Sequence, residues 1–194
     1  YDLVAEDAGG CQAVSIATIT EPPLLTTTVS PDPAAVCASV ALVLNGNAAG
    51  GTGTYTTHLW TGATGPLSST AIAGPTFSSA ATGPFVLTYS VTDDNGCNET
   101  DGITVTVNAN PTSAITPDPA NACDGINLTL NGNPVGGSGV YTTHLWTGAT
   151  GPLSSTGIAA PDFNAGPGSY ALTYTVTDDN GCIGTDGITV TSDT

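Results

Sequence analysis

Apolar and polar residues alternate with a period of two along several short stretches of this chain. Ile126, Leu128 and Leu130 are interleaved with Asn127 and Thr129, and Val40, Leu42 and Leu44 stand in the same relation further upstream. Leu172, Tyr174 and Val176 alternate with Thr173, Thr175 and Thr177, and Ile188 and Val190 with Thr189 and Thr191. A period of two predicts strands with one buried face. No stretch carries helical periodicity. Between the last two predicted strands of the first half, Asp93-Asp94-Asn95-Gly96 supplies hairpin-turn chemistry, because Asn and Gly accept positive φ at little cost.

The pattern is duplicated. YTTHLWTGATGPLSST begins at Tyr55 and again at Tyr141, an offset of 86 that also relates Cys37 to Cys123. VTDDNGC begins at Val91 and Val176, an offset of 85 that implies one deletion between the copies. The opening YDLVAEDAGGC aligns with Leu87–Cys97, so residues 1–22 read as the C-terminal hairpin of a preceding repeat. Proline-rich boundaries at Glu21-Pro22-Pro23 and Asn108-Ala109-Asn110-Pro111 then delimit one repeat at 23–110 and a second at 111–194. About seven short strands in each copy match the size and rhythm of an immunoglobulin-like sandwich. The expected fold is all-β: tandem immunoglobulin-like sandwiches in an extended array.

Composition narrows the function. The 194 residues include no Lys or Arg against 16 Asp and Glu, a formal charge of −16. Binding to nucleic-acid phosphates or anionic lipid needs clustered cations, so those partners are excluded. No apolar run is long enough to insert in a bilayer. Trypsin has no cleavage site. Five cysteines without a CxxC pair and no methionine predict a segment processed from a longer secreted chain.

The Gly-rich turn, the strand from Tyr55 to Trp60, and Tyr89-Ser90-Val91-Thr92-Asp93-Asp94-Asn95-Gly96-Cys97 followed by Ile103-Thr104-Val105-Thr106-Val107 together resemble PKD-like repeats of bacterial surface proteins. The resemblance covers nearly the whole chain. It is strongest to tandem modules of the giant adhesins of gliding Bacteroidetes and related exported filaments, and implies surface adhesion or gliding motility. One departure limits it: where PKD domains carry an acidic WDFGDG segment, this chain has Trp60-Thr61-Gly62-Ala63-Thr64-Gly65.

Trp60 and Trp146 sit mid-strand in the duplicated segment and are expected in the core with Tyr89 and Tyr174; an exposed ring would instead make a sugar-stacking platform. His58 and His144 are expected at the rim or in structural hydrogen bonds. Gly50-Gly51-Thr52-Gly53 precedes a strand, not a helix, and reads as a turn, not a phosphate loop. No triad repeats, and no enzymatic activity is expected. Asp93, Asp94 and Asn95, repeated as Asp178, Asp179 and Asn180, offer only oxygen ligands, which would suit Ca2+; Asp32, in the Pro-Asp-Pro corner before the second strand, is expected to approach Asp178 and Asp179 across the junction, where an ion would stiffen it further.

The cysteines carry a geometric argument. In such a sandwich Cys37, before the second strand, lies at the C-terminal end, while Cys97, after the last hairpin turn, lies at the N-terminal end. A strand of six or seven residues separates them by roughly 20 Å, whereas a disulfide needs Cα atoms within about 7 Å. The expected bond is therefore Cys37–Cys182, between repeats. The alternative joins Cys37 to Cys97 and Cys123 to Cys182 within repeats, and requires a distorted first strand.

The function expected is that of a secreted, cell-surface structural segment: an acidic, protease-resistant spacer or rod in a large adhesin or filament. Its partners would be neighbouring repeats of the same chain, other copies in a filament, or surface polysaccharide. The alternative is a carbohydrate- or ligand-binding accessory module of a secreted enzyme.

Overall fold

Alternating Thr and Val, turn-forming Gly and strand-breaking Pro produce eighteen strands and no helix in the computed structural model, which describes residues 2–18 and 20–194. Tyr1 and Ile19, both within the expected partial repeat, lie outside the described residues. The N-terminal strands β1 (Asp2–Glu6) and β2 (Gln12–Ile16) form an antiparallel hairpin. Both of its faces are exposed, with Leu3 at 71% and Ile16 at 73%.

In the first module, β3 (Thr26–Ser30) pairs antiparallel with β6 (Asn45–Ala49), and the short β5 (Leu42–Val43) pairs with β8 (Thr76–Phe77). Opposite them lies a four-stranded sheet in the order β4 (Ala34–Cys37), β10 (Asn98–Asn108), β9 (Gly83–Asp93), β7 (Tyr55–Gly62). The chain changes layers at Pro31-Asp32-Pro33. Proline cannot continue a hydrogen-bond ladder, so β3 ends there and the chain resumes as β4, now parallel to β10 with Ala34 opposite Val105 and Cys37 opposite Asn108. This parallel pairing delivers Cys37 to the end of the module where β10 leaves it.

The second module repeats the plan. β11 (Pro111–Thr112) pairs with β14 (Val135–Gly136), and β13 (Leu128–Thr129) pairs with β16 (Asp162–Phe163). The main sheet runs β12 (Ala120–Cys123), β18 (Ile183–Asp193), β17 (Gly168–Asp178), β15 (Tyr141–Gly148). Each module closes on its own interior. One cluster extends from Leu25 to Val107 and the other from Ile115 to Val190.

Alternation misplaces two residues. Val40 and Ile126 were expected on the buried face with Leu42 and Leu44 and with Leu128 and Leu130, but they are 50% and 64% exposed. In each copy a turn follows the parallel strand, with Val40 N donating to Cys37 O at 3.1 Å and Ile126 N to Cys123 O at 3.0 Å. The chain enters the second layer only after that turn, and Leu44 and Leu130 are fully buried.

Candidate functional site

The ends of the modules are built from one hairpin motif. At the turn between β9 and β10, Asp93 Oδ1 accepts the backbone N–H groups of Asn95 at 3.1 Å and Cys97 at 2.8 Å. Asp178 does the same for Asn180 and Cys182, and Asp7 for Gly9 and Cys11. An aspartate four residues before a cysteine thus fixes the backbone of that cysteine in all three hairpins. This is an Asx-type turn, favoured because the short carboxylate reaches nearby N–H groups.

The second carboxylate oxygen points elsewhere. Asp93 Oδ2 accepts Thr52 N–H at 3.2 Å, and Asp178 Oδ2 accepts Ser138 N–H at 3.0 Å, from the glycine-rich loops preceding β7 and β15. A Cβ at Gly51 would sit 2.6 Å from Asp93 Oδ2, and one at Gly137 2.5 Å from Asp178 Oδ2. Both glycines also have positive φ, so side chains are excluded twice over. Asp93 and Asp178 are 2% and 1% exposed, and these backbone donors satisfy their buried oxygens.

Asp101 and Asp186 act similarly along the sandwich edge. Asp101 Oδ2 accepts Val29 N–H and Asp186 Oδ2 accepts Ile115 N–H, each at 2.7 Å. A chain without lysine or arginine thus satisfies these structural carboxylates with main-chain N–H groups. The usable signal was the pairing, in both copies, of a Gly-Gly-x-Gly loop with a later Asp-Asp-Asn-Gly-Cys.

The residues expected to offer oxygen ligands divide into two groups. Asp93 and Asp178 are turned inward onto N–H donors, whereas Asp94, Asn95, Asp179 and Asn180 are exposed residues of the turn. Asp32 precedes β4, whose Ala34 stands opposite Val105 and whose Cys37 stands opposite Asn108. Among the described residues, no three His, Cys, Asp or Glu side chains converge to hold a metal.

At the junction the chain is held at three points. Asn110 Nδ2 donates to Ala38 O at 3.2 Å, anchoring the linker to the first module. Pro111 is buried at the head of the second, where a Cβ at Gly184 would come 2.2 Å from its carbonyl oxygen and one at Gly137 3.1 Å from its nitrogen. Finally, Cys37 is bonded to Cys182, with Cα atoms 5.5 Å apart. The bond present is the one between repeats. Of the in-repeat alternative's other cysteines, Cys97 and Cys123 are exposed thiols, as is Cys11.

The duplicated aromatic segment faces inward. Trp60 and Trp146 are 1% exposed and donate through Nε1 to Ile72 O and Ile158 O at 2.8 and 2.9 Å. Each packs at a tilt on a buried tyrosine, Tyr89 or Tyr174, with ring centroids about 5 Å apart. His58 Nδ1 lies 2.6 Å from the Tyr89 hydroxyl, and His144 Nδ1 2.5 Å from that of Tyr174. Burial raises both tyrosine pKa values above the ordinary 10.0, with Tyr55 and Tyr141 adding to the effect.

A phenol held neutral in the fold but free to ionise when unfolded stabilises the native state fully below pH 10.0, and that stability falls as pH rises towards the folded-state pKa. Urea melts from pH 8 upward are therefore expected to show a loss beginning near the ordinary phenol value. In Tyr89→Phe the first module should lose less stability over that alkaline range than the wild type. An unchanged alkaline slope in that variant would remove Tyr89 as its source.

No protein-family profile and no curated protein matches the chain. Solved structures do. The chain is similar to a C-terminal 282-residue intimin fragment in complex with the Tir intimin-binding domain, at 16% identity and TM-score 0.57, covering 91% of this chain and 65% of that one. It is also similar to the N-terminal eight immunoglobulin domains of Down syndrome cell adhesion molecule, at 14% identity and TM-score 0.55, covering 98% of this chain and 26% of that one. These likenesses place the chain in the immunoglobulin-like β-sandwich class. The narrower PKD resemblance rests on the sequence motifs alone.

Proposed function

We propose that this chain is a non-catalytic, extracellular structural segment: consecutive sandwiches of a surface adhesin or filament, coupled end to end as a stiff spacer. The observation that carries the reading is the Cys37–Cys182 bond, which joins adjacent modules instead of stapling one core. Disulfides persist in oxidising, extracellular environments. The sandwich fold is shared with the intimin fragment and with the immunoglobulin domains of a cell adhesion molecule, in keeping with an adhesion-type module.

The PKD-like motifs point within that class to bacterial adhesins and gliding proteins. The polysaccharide-binding alternative needs an exposed aromatic platform. Among the described residues, every Trp, Tyr and Phe ring is buried or half-buried. Immunogold labelling of intact, unpermeabilised source cells with an antibody to the chain is expected to decorate surface structures. Label appearing only after permeabilisation would overturn the proposal.

A further inference from the structure

The position of the junction bond has a mechanical consequence. Cys37 closes β4, the second strand of the first module, and Cys182 stands just before β18, the last strand of the second. Between them lie β5 to β17, which include Trp60, Trp146 and most of both cores. Outside them the chain is the N-terminal hairpin, the linker through Leu25, β3, β4 and β18. The covalent route through the two modules thus consists of one strand down each sandwich and a single S–S bond between them.

We infer that the Cys37–Cys182 disulfide carries the tension across this pair: force applied along the chain runs through β3, β4, the S–S bond and β18, and bypasses both folded interiors. The inference rests on the tether reading above and deepens it by naming the residues that carry the force. Geometry is the reason. Strands rise about 3.3 Å per residue, close to the limit of a fully extended chain, so β3, β4 and β18 hold almost no slack. The slack of the modules resides in the segment between the bonded cysteines. Their sequence separation is 145, equivalent to about 500 Å of extended chain. A sandwich enclosed in that loop can unfold without lengthening the route.

The same layout recurs beside the bonded pair. Cys11 and Cys37 stand 26 residues apart, as do Cys97 and Cys123, and each interval contains the end of one repeat, a proline-rich linker and the first strand of the next. Asp178 supports the load point directly, since its carboxylate fixes the backbone N–H of Cys182 and ties that hairpin to Ser138. The route therefore enters the second module through a hairpin clamped to the neighbouring loop.

Single-molecule pulling of the full chain, held by enzymatically coupled tags at its two ends to spare the thiols, tests the inference. In the oxidised chain no module-sized extension is expected before the handles or the S–S bond fail. With reductant present, two module-sized ruptures are expected, raising the total gain in contour length at least fivefold. Cys37→Ser should give those two ruptures without reductant. Two module-sized ruptures in the oxidised chain, with the bond verified by mass spectrometry of non-reduced peptides, would overturn the routing. That result would leave surface location untouched, just as absence from the cell surface would leave the routing intact.

Discussion

Trp60→Ala is expected to destabilise the first module by about 3–5 kcal/mol, the range for deleting a large buried aromatic side chain. The ring is 1% exposed, packs on Tyr89 at 4.9 Å between centroids, and anchors the loop at Ile72 through its indole N–H. Truncation removes all three interactions, and the site has little room to collapse. Gly46 lies beneath the Tyr89 ring so closely that a Cβ there would come 2.2 Å from Cε1, so Tyr89 is held from the other side. The second module has its own interior and should be unaffected. The chain has two tryptophans, one per module, so in the variant Trp146 fluorescence reports the second module alone. Its denaturant midpoint is expected to match the wild-type value for that module, while far-ultraviolet circular dichroism shows an earlier transition for the first. A matching downward shift of the Trp146 signal would show that the two interiors unfold as one.

Asp178→Ala is expected to cost the second module about 3 kcal/mol and to impair the junction bond as well. The carboxylate accepts N–H groups from Ser138, Asn180 and Cys182. Leaving a buried donor unsatisfied costs about 1–3 kcal/mol, and water can reach some of the turn once the side chain is gone, so the total falls well below three full penalties. Loss of the Cys182 contact frees the hairpin at the position where its sulfur must meet Cys37. Oxidative refolding should therefore form the Cys37–Cys182 bond more slowly than in the wild type, as followed by quenching and mass spectrometry. Asp178→Asn keeps one acceptor oxygen but faces backbone donors with an NH2 group, and should fall between the two. Asp93→Ala removes the equivalent contacts from the first module, where Cys97 is an exposed thiol. It should reproduce the stability loss and leave formation of the junction bond unchanged. Equal slowing by Asp93→Ala would show that general destabilisation, and not the positioning of Cys182, limits bond formation.

Strand alternation revealed the buried faces of β17 and β18, where Leu172, Tyr174, Val176, Ile188 and Val190 are buried, because a pleated strand shows successive side chains to opposite sides whatever its surroundings. It failed at Val40 and Ile126, since alternation says nothing about where a strand begins, and the turn after β4 or β12 displaces these residues into solvent. Asp93 and Asp178 were visible as acidic turn residues but not as buried ones. Their third donor lies about forty residues away in the chain, on a loop that only the folded sandwich brings alongside.

The amino-acid order by itself determined that this is a duplicated all-β chain with its tryptophans in repeated strands and its cysteines at opposite ends of each repeat. Those properties follow from local periodicity and spacing, which survive without knowledge of what packs on what. Tertiary structure alone decided which carboxylates are buried against main-chain donors and how Pro111 is seated, whereas the Cys37–Cys182 bond is already expected from the placement of the cysteines. Both of the former depend on bringing together groups tens of residues apart in the chain, which only the folded sandwich does.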